Sequence, residues 1–384
     1  MGKTSLLRRL FPKAGYLTLD YPAYAEAART APEDLLDRFP GQLIIDEIQY
    51  APALLRYLKL RIDADRIPGR FLLTGSQTFP LMEGVSESLA GRCGIFHLQT
   101  LSRFEVMAGR DDPDELTYLF RGGYPELWVG ADPEMWFPSY VATYLERDVR
   151  NVLRIVDLRD YHRFLRACAL RNAQVVNYSE LARDVGIAPN TARRWLGLLE
   201  ASGVVALVEP YFGNRTKRLI KSPKLMFLDT GLASFLSGFP SPKALGASPH
   251  IGPLWESHVY GELVRRSAGT GRSSTVHWWR TASGREVDLV VELPGGKIAA
   301  IECKWAEDPG TRPPSGLDAL RRAEAGKLAA GFVVSRTRAT YKLADGTVVT
   351  NVAGLLQRLR QLDWPRPGSS AVSVRMNGTG REGA

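Results

Sequence analysis

The sequence predicts an α/β protein with a parallel sheet near its start, a helical middle and a smaller α/β domain near its end. Through the first hundred residues, short apolar segments alternate with segments compatible with helices, which is typical of buried parallel strands and crossover helices. A helix-turn-helix pattern follows between 177 and 208, and further strand patterns begin after 270. At 384 residues the chain has room for two or three domains.

Composition narrows the class of protein. Charged residues make up 24% and hydrophobic residues 45% of the chain, which are ordinary globular values. Cys93, Cys168 and Cys303 lie far apart and away from clustered histidines, which predicts neither a disulfide framework nor a zinc site. Because the sequence has no apolar run of signal-peptide or transmembrane type, we expect a cytoplasmic protein with no membrane partner. Residues 364–384 are rich in Gly, Ser and Arg and are expected to be a disordered tail.

Four apolar segments are predicted to be the strands of the first domain. They are YLTLDY, QLIIDEIQ, RFLLTGSQ and CGIFHLQT, at 16–21, 42–49, 70–77 and 93–100. Ligands of open α/β sheets bind outside the carboxyl ends of the strands. Polar residues that follow these segments are therefore the first candidates for a functional site.

The opening residues Gly2, Lys3 and Thr4 match the end of a phosphate-binding loop, G-x-x-x-x-G-K-[ST]. In such a loop the glycine amides and the lysine hold the phosphates of ATP, and the hydroxyl binds magnesium. The first glycine of the loop and the strand before it are missing here. We therefore expect that the true gene start lies upstream, and that the chain as given binds ATP weakly.

Asp46 and Glu47 follow the apolar strand LII, where a magnesium-dependent ATPase needs two carboxylates. Asp46 is predicted to hold the magnesium ion together with Thr4, and Glu47 to orient the attacking water. The alternative is an acidic loop after a core strand. The combination with Gly-Lys-Thr favours the ATPase interpretation.

Two further catalytic candidates follow in the first domain. Thr74 or Ser76, after the third predicted strand, would sense the γ-phosphate or the attacking water, unless Ser76 only caps a helix. Arg92 precedes the fourth predicted strand and would act as an arginine finger on the nucleotide of a neighbouring subunit, which implies a homo-oligomer. The alternative for Arg92 is a solvated charge.

The motifs GKT, LIIDEIQ, LLTGS and ESLAGR, in this order, resemble the AAA-type P-loop ATPase domain of prokaryotic proteins that carry a C-terminal domain of unknown function. The resemblance continues through FRGGYPELW, YLERDVRNV and FLDTGLASFLSG and so covers most of the chain. It implies an ATPase domain at 1–108 that uses ATP and magnesium. It also implies the roles given above for Lys3, Thr4, Asp46, Glu47 and Arg92.

The middle of the chain is predicted to be a helical lid at 109–172 and a winged helix at 173–240. Ser179 would cap the first helix of the helix-turn-helix, Gly186 would permit the turn, and the second helix would carry Arg193 and Arg194. The net charge of the chain is +9, and seven basic and two acidic residues between Arg193 and Lys224 give this region +5. This charge predicts DNA as a partner. The alternative is a lid or a protein-docking module.

The last domain, predicted at 241–363, contains an acid on one strand and E-x-K on the next. Because strand side chains alternate, Glu302 and Lys304 are expected on one face, near Asp288. Asp288 and Glu302, with Glu256 from a preceding helix, would hold magnesium while Lys304 orients water. The pattern VDLVVE…IAAIECKW resembles the PD-(D/E)XK nuclease fold. A nuclease-like domain retained for binding and a solvated strand pair are the alternatives.

Three functions remain open on the sequence alone. The leading one is an ATP hydrolase of the AAA type, whose nucleotide state controls the winged-helix and nuclease-like half. The second is a DNA-binding regulator that binds ATP with little turnover. The third is a magnesium-dependent nuclease with a decayed ATPase domain. Phosphate release with and without DNA separates the first two, and cleavage of labelled DNA tests the third.

Overall fold

The computed structural model describes residues 2–75, 88–108, 114–145, 158–213, 222–268 and 276–364. Its N-terminal part contains a three-stranded parallel sheet in the order β1-β2-β3, as the alternation of apolar and helical segments predicts. The strands are β1 (Gly15–Thr18), β2 (Leu43–Asp46) and β3 (Phe71–Leu73), and the helices are α1 (Lys3–Leu10), α2 (Pro22–Thr30), α3 (Pro32–Asp37) and α4 (Leu54–Ala64). The central strand β2 is buried along its whole length.

The predicted fourth strand at 93–100 is wrong. The structure assigns no strand to this segment, and Ile95 and Phe96 are 50% and 79% exposed. Apolar content predicts burial, but a strand also needs a neighbour that accepts and donates its backbone hydrogen bonds. The chain continues into the short helix α5 (Arg103–Met107), where Ser102 and Glu105 form a capping box.

A helical region follows, as expected from the spacing of apolar residues. Its helices are α6 (Glu115–Arg121), α7 (Pro125–Trp128), α8 (Pro133–Tyr140) with a π-helical turn at Val141–Leu145, and α9 (Leu158–Leu170). Pro125 and Pro133 stand at the first helical positions of α7 and α8, where the missing N–H costs nothing.

The next unit contains two helices and a small antiparallel sheet in the order β4-β6-β5. Its elements are β4 (Gln174–Val175), α10 (Tyr178–Val185), α11 (Pro189–Ala201), β5 (Val205–Val208) and β6 (Lys224–Phe227). The predicted cap is displaced, because the side chain of Asn177 rather than Ser179 accepts the first amides of α10. Gly186 ends α10 with a φ of 86°, which supports the predicted turn.

The C-terminal unit is a mixed sheet in the order β11-β12-β10-β9-β8-β7. Strands β7, β8 and β9 pair antiparallel, and β9, β10 and β12 pair parallel. The elements are α12 (Thr230–Leu236), α13 (Pro242–Gly246), α14 (Ile251–Ala268), β7 (Val276–Arg280), β8 (Glu286–Glu292), β9 (Ile298–Cys303), α15 (Ser315–Ala323), β10 (Leu328–Val334), β11 (Tyr341–Lys342), β12 (Val348–Thr350) and α16 (Val352–Gln361). The turn at Pro294–Gly296 joins β8 to β9.

The motifs FRGGYPELW and FLDTG meet in space. The amide of Gly123 donates a 2.8 Å hydrogen bond to the buried carboxylate of Asp229, which also caps α12 through Leu232. A Cβ on Gly122 would lie 2.1 Å from this carboxylate, and one on Gly231 would lie 2.2 Å from the carbonyl oxygen of Arg121. The glycines of both motifs are therefore required by a close backbone approach.

A buried arginine ties the segment after the N-terminal sheet to helix α14. Arg265 donates to the carbonyl oxygens of Thr100 and Leu228, at 2.9 and 2.8 Å. Beside it, Glu262 accepts the amide of Arg103 at 3.1 Å. Because a buried guanidinium needs acceptors, these bonds fix residues 100–103 against the C-terminal unit. We call this set of contacts the Arg265 joint.

The sheets of the middle and C-terminal units are also connected through the backbone. After β5, Pro210 forms a parallel bridge with Trp278 of β7, and the amide of Tyr211 donates to the carbonyl of Trp278 at 2.7 Å. The middle unit is therefore attached along the β7 edge of the C-terminal sheet. Within the described part of the chain, no helix combines the length and the apolar character needed to cross a membrane.

Candidate active site and a second carboxylate cluster

Asp46 stands at the carboxyl end of the central strand β2, with its side chain almost completely buried. Three hydroxyl groups donate to its carboxylate. Thr4 contacts both oxygens, at 2.8 and 3.0 Å, and Tyr16 contacts Oδ2 at 2.8 Å, while Thr74 contacts Oδ1. The donors come from α1, β1 and the residue after β3, so the carboxylate is the point where these elements meet. We call these four residues, with Glu47, the Asp46 site.

Glu47 follows Asp46 with a left-handed backbone, at a φ of 56°. This conformation is costly for a residue with a side chain and is enriched at functional sites. The amide of Glu47 donates to the hydroxyl of Thr74 at 3.3 Å, and Gln49 donates to the carboxylate of Glu47. Adjacent strands thus hold Glu47 at the end of the sheet, in a half-buried position.

Gly2 and Lys3 lie at the start of helix α1. Gly2 has a φ of 66°, and a Cβ there would meet no atom within 4 Å, so the backbone angle and not space favours glycine. Lys3 is the first residue of α1, one position before Thr4. A phosphate at this helix end would meet free backbone amides and the positive end of the helix dipole.

Arg92 does not meet the Asp46 site in this structure. Its guanidinium forms a two-point pair with Asp63, at 2.7 and 3.0 Å, and donates to the carbonyl of Ala90. A finger role would require this pair to open. Ser76 lies outside the described residues, whereas Thr74, its alternative, contacts Asp46 directly.

Sequence reasoning missed Tyr16. It lies on β1, opposite Ile44 of β2, and its hydroxyl reaches the carboxylate at the end of the neighbouring strand. Burial, together with the bond to Asp46, raises the pKa of Tyr16. The phenol therefore stays protonated and donates. The sequence places Tyr16 at the start of a predicted strand. Its contact with Asp46 depends on the register of β1 on β2, which the sequence pattern does not give.

Of the predicted nuclease motif, Asp288 lies on β8, Glu302 lies on the neighbouring strand β9, and Lys304 directly follows β9. Asp288 of β8 accepts the amide of Cys303 at 2.7 Å, and Lys304 pairs with Glu302 at 2.8 Å. Burial and the charge of Asp288 raise the pKa of Glu302 to about 7. One oxygen of Glu302 is buried without a hydrogen-bond partner among the described residues.

The third predicted magnesium ligand of this unit, Glu256 of α14, pairs with a lysine. The ammonium of Lys224 lies 2.8 Å from Glu256 and 2.5 Å from Glu286. Burial acts to lower the pKa of Lys224, but Glu256, Asp288 and Glu286 outweigh it and raise the value. We call Lys224, Glu256, Glu286 and Asp288 the Lys224 cluster.

This position of Lys224 corrects the sequence analysis. Lys224 was counted in a basic region that faces DNA, but it is only 1% exposed and cannot reach a phosphate. It begins β6, whose four residues are all buried. The other basic residues between β5 and β6 lie in 214–221, outside the described residues.

Neither carboxylate set is a ready-made metal centre made of protein ligands alone. In the described ranges, no group of three or more His, Cys, Asp or Glu side chains converges as a metal site requires. Thr4 and Asp46 nevertheless suit magnesium, which keeps several waters and takes oxygens from phosphate as well as protein. Glu256, Asp288 and Glu302 do not fit the ion in this arrangement, because Lys224 pairs with Glu256, the amide of Cys303 donates to Asp288, and Lys304 pairs with Glu302.

Comparison with known proteins identifies similar segments along most of the chain. Residues 1–107 match a family described as AAA domain, and 113–243 and 251–355 match two domains of unknown function, DUF8612 and DUF4143. The uncharacterized proteins Rv2008c of Mycobacterium tuberculosis and Mb2031c of Mycobacterium bovis are each 35% identical over 312 residues, which are 80% of this chain and 69% of theirs.

One solved structure also overlaps the chain. It is a half-complex of Thermococcus gammatolerans McrB AAA+ hexamers with bound McrC. The alignment covers 73% of this chain and 74% of the matched chain of that complex. The sequence identity is 11% and the TM-score is 0.21, so this overlap carries no argument here.

Proposed function

The chain belongs to the family of the two mycobacterial proteins, with an AAA domain at its N-terminus, and from this premise we propose that it is a magnesium-dependent ATP hydrolase. In this proposal the nucleotide state of the AAA domain acts on the C-terminal half. The observation that carries it is the contact between Thr4 and Asp46. Residues 42 positions apart, each proposed to hold the same ion, are in direct hydrogen-bond contact.

The proposed roles follow from the position of each group. When bound, magnesium supplies positive charge to the phosphate oxygens of ATP. The carboxylate of Asp46 accepts from three neutral hydroxyl groups, which bring no positive charge that would compete with the ion. Glu47 orients the attacking water and accepts its proton, because its half-buried carboxylate lies next to Asp46 at the end of the sheet.

Phosphate binding is proposed for Gly2 and Lys3, at the start of α1. Arg92 remains the candidate finger for a neighbouring copy, and its release from Asp63 would accompany assembly. Among the described residues, Arg92 pairs with Asp63 instead of the Asp46 site. Both proposals depend on the AAA match and on the spacing of these residues in the chain.

Coupling to the C-terminal half is proposed to pass through the Arg265 joint. The segment 88–108 follows strand β3 and contains Thr100 and Arg103. The backbone carbonyl of Thr100 accepts from Arg265, and the backbone amide of Arg103 donates to Glu262. A change at the end of the N-terminal sheet would therefore alter contacts of α14. Helix α14 also contains Glu256 of the Lys224 cluster.

The test is the release of phosphate by the full chain with Glu47→Gln, assayed at millimolar ATP. We expect nucleotide binding to persist while turnover falls about 10² to 10⁴-fold, the usual contribution of a general base. Glu26→Gln is the matched control, because Glu26 is exposed and pairs with Arg29 in its own helix turn. Undiminished turnover with Glu47→Gln would refute the assignment.

A DNA-binding regulator with little turnover is the second candidate. Arg193 and Arg194 are exposed on α11, opposite the buried Ala192, Trp195 and Leu196. A helix with a buried apolar face and an exposed basic face suits the second helix of a helix-turn-helix. Changing both arginines to glutamine should weaken DNA binding and lower its salt slope by about one unit per lost phosphate contact. An unchanged slope would favour a docking module.

A further inference from the structure

Thr74, the residue after β3, bonds to each residue of the turn at the end of β2. Its amide donates to the carbonyl oxygen of Ile45 at 2.9 Å, and its carbonyl oxygen accepts the amide of Ile48 at 3.0 Å. Its hydroxyl donates to the carboxylate of Asp46 and accepts the amide of Glu47 at 3.3 Å. The side chain of Thr74 is 6% exposed, so water has little access to these groups. One residue therefore holds four consecutive residues of the chain.

The bond to the amide of Glu47 supports a costly backbone conformation. Glu47 has a φ of 56° and a ψ of 48°, in the left-handed region. A residue with a Cβ adopts this region only where its surroundings fix it. Because the backbone sets the direction of the Cα–Cβ bond, a return of Glu47 to an ordinary conformation would redirect its carboxylate. The position of this carboxylate thus depends on the bonds that hold its backbone.

The hydroxyl of Thr74 makes bonds that an apolar side chain of the same shape could not make. Any residue except proline could supply the backbone groups that bond to Ile45 and Ile48. The hydroxyl combines one donor with acceptor lone pairs, and the contacts with Asp46 and Glu47 use both. Its single proton is directed at Asp46, whereas a contact with a phosphate oxygen would need that proton. The geometry therefore favours a role toward Glu47 over a contact with the nucleotide.

We propose that Thr74 is a positioning residue for Glu47. Its hydroxyl fixes the left-handed turn and so places the carboxylate that orients the attacking water. This role differs from the expectation from the sequence, in which Thr74 or Ser76 senses the γ-phosphate or the water. The inference rests on the proposed ATP hydrolysis, because that reaction gives the carboxylate its task. Displacement of a catalytic group by about 1 Å can slow a reaction by about a hundredfold.

The first test is the hydrolysis of ATP by the full chain with Thr74→Val, which keeps the shape of the side chain and removes the hydroxyl. We expect kcat to fall by about ten- to a hundredfold, with an unchanged KM for ATP and an unchanged magnesium requirement, because the ligands of the phosphates and the ion remain. Thr74→Ser should restore most of the turnover. Thr347→Val is the matched control, since Thr347 is also buried and also donates to an aspartate, Asp345, at 2.8 Å. It should leave kcat unchanged.

A double variant separates a role through Glu47 from a role of its own. In a chain that already carries Glu47→Gln, the further change Thr74→Val should lower single-turnover hydrolysis little, because the group that Thr74 positions is gone. Losses that multiply in the double variant would mean that Thr74 acts on the nucleotide or the ion. A raised KM for ATP in Thr74→Val alone would mean the same, and either result would overturn the proposal.

Hydrogen exchange at single residues tests the bond without any hydrolysis. The amide of Glu47 should be protected in the native chain and should exchange at least about tenfold faster in Thr74→Val, whereas the amide of Ile48, which donates to a backbone carbonyl, should stay protected. An unprotected Glu47 amide in the native chain would overturn the proposal, and so would equal protection in the variant.

The two measurements distinguish the failure of this proposal from that of the proposed function. A native chain that releases no phosphate would refute the ATP hydrolase, while the exchange of the Glu47 amide would still decide whether Thr74 holds the turn. If Thr74→Val does not fold, Thr74→Ala is measured against the same criteria, because it also lacks the hydroxyl.

Discussion

The Asp46 site and the Lys224 cluster both bury carboxylates, but they compensate the negative charge differently. Asp46 receives hydrogen bonds from three neutral hydroxyl groups, whereas Glu256 and Glu286 contact an ammonium. Hydroxyl donors orient a carboxylate and leave its charge in place. A lysine offsets part of that charge with a positive charge of its own. A buried acid alone therefore does not identify a metal site, because the charge of its hydrogen-bond partners must also be counted.

The largest expected difference between the two sites is in ATP turnover. Asp46→Asn removes the charge proposed to hold magnesium, so we expect phosphate release to fall at least about a hundredfold, with a higher magnesium requirement. The control is Asp34→Asn, an exposed residue at the start of α3. If Asp46→Asn hydrolyses ATP at the native rate, the charge of Asp46 does not hold magnesium for the reaction.

The second prediction concerns stability and applies to the Lys224 cluster. Lys224→Met should lower the free energy of unfolding by about 3 to 5 kcal/mol in the absence of divalent ions, because buried carboxylates lose their cation. Lys327→Met, whose lysine is 41% exposed, should change it far less, because exposed ion pairs contribute little. Urea unfolding of the three proteins measures both values. Equal stability of the two variants would argue against a buried ionic role for Lys224.

The smallest effect is predicted for Tyr16→Phe. This change deletes one of the three donors to Asp46 and keeps the ring, so the free energy of unfolding should fall by about 0.5 to 1.5 kcal/mol. Thermal unfolding of the native and variant chains is the measurement. A loss as large as that of Lys224→Met would show that Asp46 depends on one donor rather than on a shared set.

Local patterns predicted the N-terminal sheet and the partnership of Thr4 with Asp46 because both depend on short segments with strong signals. LIID is a short apolar run that favours a buried strand, and the structure places Asp46 at the carboxyl end of that strand. The segment at 93–100 has similar apolar content, yet it remains outside any sheet of the described residues. Whether an apolar segment pairs depends on neighbours that the segment itself does not encode.

Contacts between distant segments account for the residues that the sequence analysis missed or misjudged. Tyr16 reaches Asp46 only through the register of β1 on β2. Lys224 was misjudged because a count of charges along the chain does not distinguish an exposed loop from the first residue of a buried strand. Glu286, two residues before Asp288, could have been suspected from strand alternation.

The Arg265 joint limits how this chain can be recombined with its relatives. An AAA domain exchanged at residue 108 would replace residues 100–103, which include the Thr100 hydroxyl that accepts from Arg265 at 2.9 Å and the backbone groups that contact Arg265 and Glu262. A chimera joined before Thr100 would retain them. The two matched segments of the family therefore meet in sequence at about residue 110, but the boundary that a functional hybrid must respect lies earlier, inside the AAA match.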